Sequence, residues 1–253
     1  LGEEVLSRAR ELDALYQRML VDISRSSRAL EGDPPVDLHI YTTQLISATL
    51  LPRVLSAFNL RYPGINLNII ELNPPEIADK VDFTENSIGI ISMSTFHQAE
   101  SLRLSSGELV FDRYFSDELM LGVAEHSPLA KRECISAEEL ATIPLALCHT
   151  EAMMARNLLP PDLEPTVALH TSSYDLCREM VSRNRAAGLS SALREYYSHY
   201  QIVAVPLEKK ITVSYGVIYD PQIPRTPLVE DIFSMVRNEL SHVANTSSSQ
   251  KDR

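Results

Sequence analysis

Between residues 36 and 93 the hydrophobic period of this sequence switches repeatedly between two and about 3.6. Val36, Leu38 and Ile40 alternate with Asp37, His39 and Tyr41, which predicts a half-buried strand. Leu50, Leu51, Val54, Leu55 and Phe58 then share a helical face, with Pro52 opening the regular part of that helix or kinking it. Thr42 and Thr43 offer capping hydroxyls ahead of it, and Tyr62-Pro63-Gly64 stops it. Ile65, Leu67 and Ile69 form a second alternating strand, and Asn73-Pro74-Pro75 turns the chain. Residues 76–81 predict a short helix, and the apolar run Ile88 to Met93 predicts a third strand. A strand-helix-strand-helix-strand series implies a parallel sheet, because each strand must return across one face.

The same grammar resumes further on. Leu109 to Phe115 and Leu119 to Ala124 are extended, and Ser136 with Glu139 has the spacing of a capping box. Leu145 to Cys148 and Val167 to Leu169 are strand-like, and Thr171-Ser172-Ser173 precedes a helix through Tyr174, Cys177, Met180 and Val181. Strands at Ile202–Val205 and Ile211–Tyr219 follow, the latter long enough to cross between lobes. Leu228, Val229, Ile232, Phe233, Val236 and Leu240 mark a closing amphipathic helix. The expected architecture is α/β with two lobes: 33–111 with 218–245, and 112–217. The polar stretch 246–253 predicts disorder.

Ahead of these lobes, Val5, Ala9, Leu12, Tyr16, Met19 and Ile23 are spaced by fours and threes, the seam of a helix that packs on another helix. Residues 1–32 are therefore expected to be a linker or dimerisation helix, ended by Gly32 and Pro34-Pro35. The composition is 44% hydrophobic and 23% charged, and no apolar run approaches the roughly 20 residues that a membrane helix needs. The first residues mix Glu and Arg and carry no secretory pattern, so a cytoplasmic location without membrane contact is expected. A net charge of −11 argues against nucleic-acid binding by this stretch itself.

The chemistry-bearing motifs are sparse. The eight glycines form neither a dinucleotide nor a nucleotide phosphate loop, so no cofactor is expected. Gly188-Leu189-Ser190-Ser191 lacks the second glycine of a nucleophile elbow and predicts a strand and turn. Three cysteines without a C-x-x-C spacing predict neither a disulfide framework nor a thiolate metal site, and idle thiols are expected. Two helix starts remain, at Thr42-Thr43-Gln44 and at Thr171-Ser172-Ser173. Free N–H groups and hydroxyls converge at each, which suits a carboxylate or similar anion as well as ordinary capping.

Leu50-Leu51-Pro52-Arg53-Val54-Leu55-Ser56-Ala57-Phe58, followed by Arg61-Tyr62-Pro63-Gly64-Ile65, resembles the first lobe of LysR-type transcriptional regulators. Leu1 to Leu6 resembles the start of that family's linker helix. Phe111 and Leu119 to Val123, then His126 to Ala130 and Ser136 to Pro144, resemble its second lobe. Thr84 to Gly89 and Ala187 to Leu193 depart from the family pattern, which points to a crevice of different chemistry. The resemblance implies two Rossmann-like lobes of the type II periplasmic-binding-protein kind and a small-molecule effector. It further implies self-association as a dimer or tetramer, and promoter DNA contacted through a winged helix-turn-helix that these residues do not include.

The expected effector contacts are Thr42, Thr43, Gln44, His149, Ser172 and Ser173, with Asn73, Ser92 and Tyr215 lining the crevice. No enzymatic activity and no metal are expected. A transporter's solute-binding protein is the alternative reading, and a small enzyme on the same fold is a third.

Overall fold

The computed structural model describes residues 37–95 and 101–251; the expected linker helix over 1–32 lies outside them. The opening pattern folds as its periods predict. Strand β1 (Asp37–Thr42) leads through a short helix α1 (Gln44–Ala48) into α2 (Leu51–Arg61), with Pro52 in the first turn. There the missing N–H costs nothing, so Pro52 opens the helix and does not kink it. Strand β2 (Asn66–Glu71), α3 (Pro74–Lys80) and β3 (Ser87–Ser94) complete the series. β1 pairs parallel with both β2 and β3, Ile40 lying opposite Ile69 and Ile88. Every residue of β3 is buried, as a strand covered on both faces requires.

The parallel series is then interrupted. After a short helix α4 (Leu102–Ser105), strand β4 (Val110–Glu118) joins the same sheet through β10 (Thr212–Tyr219), which runs antiparallel to both β3 and β4. The order is β2-β1-β3-β10-β4, a mixed sheet. Both crossing strands stay in this sheet over their whole length. The chain passes to the second lobe at Leu119 and returns at Ile211, where the Leu119 N–H donates to the Ile211 carbonyl at 2.9 Å. The boundaries expected at 112 and 217 thus fall inside strands of the first lobe.

The second lobe contains β5 (Met120–Ala124), antiparallel to β8 (Gly188–Ser190) and β9 (Ile202–Val205). Strands β6 (Leu145–Cys148) and β7 (Val167–Thr171) pair parallel, and a Leu145–Ala187 bridge joins β6 to the start of β8. Helices α5 (Ala137–Thr142), α6 (His149–Leu158), α7 (Tyr174–Ser182) and α8 (Ala192–Tyr197) pack around these strands. Sequence periodicity passed over α6 and α8. The closing helix α9 (Pro227–Lys251) extends past Asn245 into the stretch expected to be disordered, the Thr246 hydroxyl donating to the His242 carbonyl at 2.9 Å.

One hydrophobic cluster joins the two lobes. Phe58, Ile232, Val236 and Leu240 bury the contact of α2 with α9, and Leu121, Leu145, Leu189 and Val205 continue the cluster into the second lobe. On the rim, Tyr62 hydrogen-bonds Asp231, and Tyr197 of α8 donates to Glu239 of α9 at 3.1 Å. Desolvation, and then the Asp231 carboxylate, push the Tyr62 phenol up to about 12.

The Ser136 cap forms as expected, its Oγ accepting the Glu139 N–H at 3.2 Å. The Glu139 carboxylate itself reaches Arg132 at 2.9 Å. Ser136→Ala should therefore lower the unfolding free energy by about 1 kcal/mol, the usual worth of an N-cap. Urea denaturation of parent and variant checks it.

Candidate functional site

Two depressions differ in kind. An open hollow of about 490 Å³ lies against the edge strand β2, lined by Asp37, Asn59, Asn66 and Asn68 among others. Each of those polar residues is exposed, so nothing there presents a desolvated group to a ligand. The second lies between the lobes, where Thr43, Leu45, Pro74, Ser92, Val213 and Tyr215 from the first meet Met154 and Arg194 from the second, with Leu119 at the passage between them. Its free space is about 20 Å³, on the order of a single water. The lobes are closed on it.

The first lobe contributes hydroxyls. Thr43 is the N-cap residue of α1 and makes no side-chain cap bond; its Oγ1 pairs with Ser92 Oγ at 3.1 Å. Both residues are buried. Tyr215, in the crossing strand, is 1% exposed, stacks on Phe115 at 5.7 Å and pairs its hydroxyl with Ser191 Oγ at 3.0 Å. Burial raises its phenol above the ordinary range, so at neutral pH it stays protonated and can donate.

The second lobe contributes a cation that the sequence reading missed. Ser191 follows β8 and caps α8, accepting the Arg194 N–H at 3.3 Å. That cap places Arg194 in the first turn, with its side chain 6% exposed. Nη1 donates to Glu151 and, at 2.8 Å, to the Leu189 carbonyl. Nε is buried without a partner. The Glu151 carboxylate also accepts the Cys148 N–H at 2.8 Å. A buried guanidinium whose Nε donor is unused, beside a polar cleft, is suited to an anion, because the ion pair has already offset most of the desolvation cost.

Of the expected contacts, Thr43, Ser92 and Tyr215 line this cleft, while Thr42, Gln44, Asn73, Ser172 and Ser173 are not among its lining residues. Thr42 is buried, and its hydroxyl is used by the β3 carbonyl of Ile90 at 2.7 Å. Gln44 is the first residue of α1 and is only partly buried. Asn73 is exposed and caps α3 with Glu76, the Asn73 N–H donating to that carboxylate at 3.1 Å. Ser172 and Ser173 are exposed, and Ser173 caps α7 through the Leu176 N–H at 3.2 Å. His149 is the first residue of α6, and its side chain lies outside the described groups. The missed Arg194 had a legible signal: Ser191 after a strand repeats the pattern that drew attention to Ser173.

A protein-family model described as the LysR substrate binding domain matches residues 32–241. Among curated relatives, the HTH-type transcriptional regulator CysL of Bacillus subtilis is 25% identical over 139 residues, 55% of this chain and 42% of that protein. A probable RuBisCO transcriptional regulator of Trieres chinensis is 25% identical over 246 residues, 91% of this chain and 76% of that protein. The chain thus spans less than half the length of CysL.

Among solved structures, the C-terminal domain of a probable LysR family regulator from Rhodococcus sp. RHA1 has a TM-score of 0.60 at 18% identity, covering 80% of this chain and 99% of that one. The regulatory domain of Synechocystis PCC6803 CcmR, solved in complex with 2-PG, has a TM-score of 0.61 at 14% identity, covering 83% and 98%. The effector binding domain of QuiR, solved with shikimate, has a TM-score of 0.55 at 12% identity, covering 83% and 99%. These likenesses fix the fold as the two-lobed type II periplasmic-binding-protein kind. With a family model matched over most of its length, this chain belongs to the LysR substrate-binding domain family.

Proposed function

We propose that the chain is the effector-sensing part of a LysR-type transcriptional regulator and that it binds a small carboxylate or similar anion between its lobes. The observation that carries the anion is the unpartnered Arg194 Nε in a cleft otherwise lined by the Thr43, Ser92 and Tyr215 hydroxyls. The carboxylate would accept from Arg194 Nε and from hydroxyls of the first lobe, spanning the two halves. Ligands held by CcmR and QuiR, 2-PG and shikimate, carry acidic groups of this kind. No catalytic role is assigned, since among the described residues the cleft presents groups for binding and no nucleophile with an orienting base.

The small free volume supports a population-shift mechanism. A ligand larger than water must bind an arrangement in which the lobes stand further apart, so it shifts the population toward that arrangement by its differential affinity. In the whole regulator this shift would alter how a self-associated dimer or tetramer holds a helix-turn-helix on promoter DNA. A cytoplasmic location belongs to the same reading. Among the described residues no helix is long and apolar enough to cross a membrane.

The test is thermal-shift and calorimetric titration with 2-PG, shikimate and small dicarboxylates. A true ligand at a hundred times its Kd should add about 2.7 kcal/mol of stability. Thr43→Val removes a donor to a charged group and should weaken binding about tenfold or more, whereas Ser173→Ala should bind like the parent. If no acid in the panel stabilises the protein, the anion assignment fails. If one does and Thr43→Val binds it unchanged, the cleft is the wrong place.

A further inference from the structure

The Cys148 and Cys177 sulfurs lie 3.6 Å apart, and both residues are buried. They come from different elements. Cys148 ends β6 and is the N-cap residue of α6, while Cys177 lies one turn into α7. The sheet brings them together: β6 pairs with β7 so that Cys148 is opposite Thr171, and the Ser173 cap then starts α7 beside it. Ala146, Leu169, Met180 and Ala186 pack around the pair, and the Glu151 carboxylate lies beside it. Nothing in the cleft uses these thiols.

We propose that Cys148 and Cys177 form a redox site that closes to an intramolecular disulfide when a hydroperoxide oxidises it. The Cys148 thiol donates to the Cys177 sulfur, which holds Cys177 below the ordinary thiol range against the opposing effect of burial. Cys177, whose sulfur accepts that hydrogen bond, is assigned the role of first nucleophile. Its thiolate attacks one peroxide oxygen; an S–O bond forms, the O–O bond breaks, and the departing oxygen leaves as water or alcohol after taking a proton. The Cys148 sulfur then attacks the Cys177 sulfenic acid. The S–S bond forms, the S–O bond breaks, and the leaving hydroxide takes the Cys148 proton as water. Two electrons pass from the thiols to the peroxide.

A metal is the competing use of the same atoms. The Glu151 carboxylate and the two sulfurs all lie within 4.8 Å of one another. Both Glu151 oxygens are already engaged, one by Arg194 and the other by the Cys148 N–H. A second cation would also sit beside the buried Arg194 guanidinium, which repels it. A disulfide is uncharged, suits the buried position and leaves the ion pair in place.

The test uses the full chain carrying Cys134→Ser, which removes the exposed third thiol. After hydrogen peroxide, intact mass should fall by two hydrogens, both thiols should disappear from a denaturing titration, and digestion should give one cross-linked peptide pair holding Cys148 and Cys177. Dithiothreitol should reverse all three. Adding Cys148→Ser, whose hydroxyl keeps the hydrogen-bond donor but cannot form a disulfide, should leave Cys177 as a sulfenic acid that dimedone traps. The proposal is overturned if the mass rises by oxygen atoms with Cys148 still free, if both thiols survive peroxide that oxidises free cysteine, or if the bridge forms between chains. It is also overturned if stoichiometric zinc binds and shields both thiols.

Discussion

Glu151→Ala should lower the unfolding free energy by about 3–5 kcal/mol, the cost of leaving one member of a buried ion pair without the other. The side chains of Arg194 and Glu151 are 6% and 5% exposed, so neither can turn to bulk water when its partner is removed. Arg194 would keep the Leu189 carbonyl and a ring contact with Tyr174 at 5.9 Å, which do not neutralise a buried charge. The Cys148 N–H at the start of α6 would lose its acceptor as well. Urea denaturation should show a lower midpoint with an unchanged slope. High salt should not reproduce the effect, because a buried pair is screened far less than a surface pair.

A Glu151→Met, Arg194→Met double variant separates charge burial from packing. It should recover much of the stability that Glu151→Ala loses, since replacing a whole buried pair by apolar groups is often close to neutral. It should also abolish anion binding if the cleft assignment is right. A loss below about 1 kcal/mol for Glu151→Ala would put the pair in the range of exposed ion pairs and would mean that water reaches Arg194 in solution.

Gly216→Ala should cost about 3 kcal/mol, the upper part of the range for overpacking, for a reason that no side chain can relieve. A Cβ at Gly216 would lie 2.1 Å from the Asp112 carbonyl oxygen and 3.0 Å from Arg113 Cα. These are backbone atoms of the neighbouring strand. The site is a β-bulge: Tyr215 faces Phe115, Gly216 faces Arg113, and Tyr114 is the extra residue between them. The bulge brings β4 against β10 so closely that only hydrogen fits. Because β10 also carries Tyr215 into the cleft, any shift that made room would move a lining residue.

Gly107 is the internal comparison. It has a φ of +77° and nothing within 4 Å of its Cβ direction, so Gly107→Ala should cost only about 1–2 kcal/mol through backbone strain. Denaturation midpoints of the two variants should keep this order.

The first three strands and their helices were legible because each is specified locally. Val36 to Met93 states its periods and stop signals within windows of a few residues, and the connection rules imply a parallel sheet, while its order β2-β1-β3 was set by the packing. The antiparallel placement of β10 between β3 and β4 was not legible, because it pairs residues roughly a hundred positions apart, such as Phe115 with Tyr215. Helix α6 escaped because its residues cap and continue a strand that the apolar pattern had seemed only to end.

The candidate site divides along the same line. The sequence determined that hydroxyl-capped helix starts follow strands, that the chain resembles LysR-type effector domains, and that Thr43, Ser92 and Tyr215 belong to strands or caps of a two-lobed sheet. The sequence reading took Ser173 and passed over Ser191, whose local pattern is alike. The tertiary structure chose, leaving Ser173 exposed as an ordinary cap and setting Ser191 against Tyr215 with Arg194 one turn on.

Arg194 and Glu151 stand 43 positions apart, and Cys148 and Cys177 stand 29 apart. Local propensity is a short-range property, whereas charge burial and thiol contact depend on which strands become neighbours. The sequence therefore determined the elements and their capping chemistry. Only the packing of the second lobe decided which cation faces the cleft and which two thiols touch.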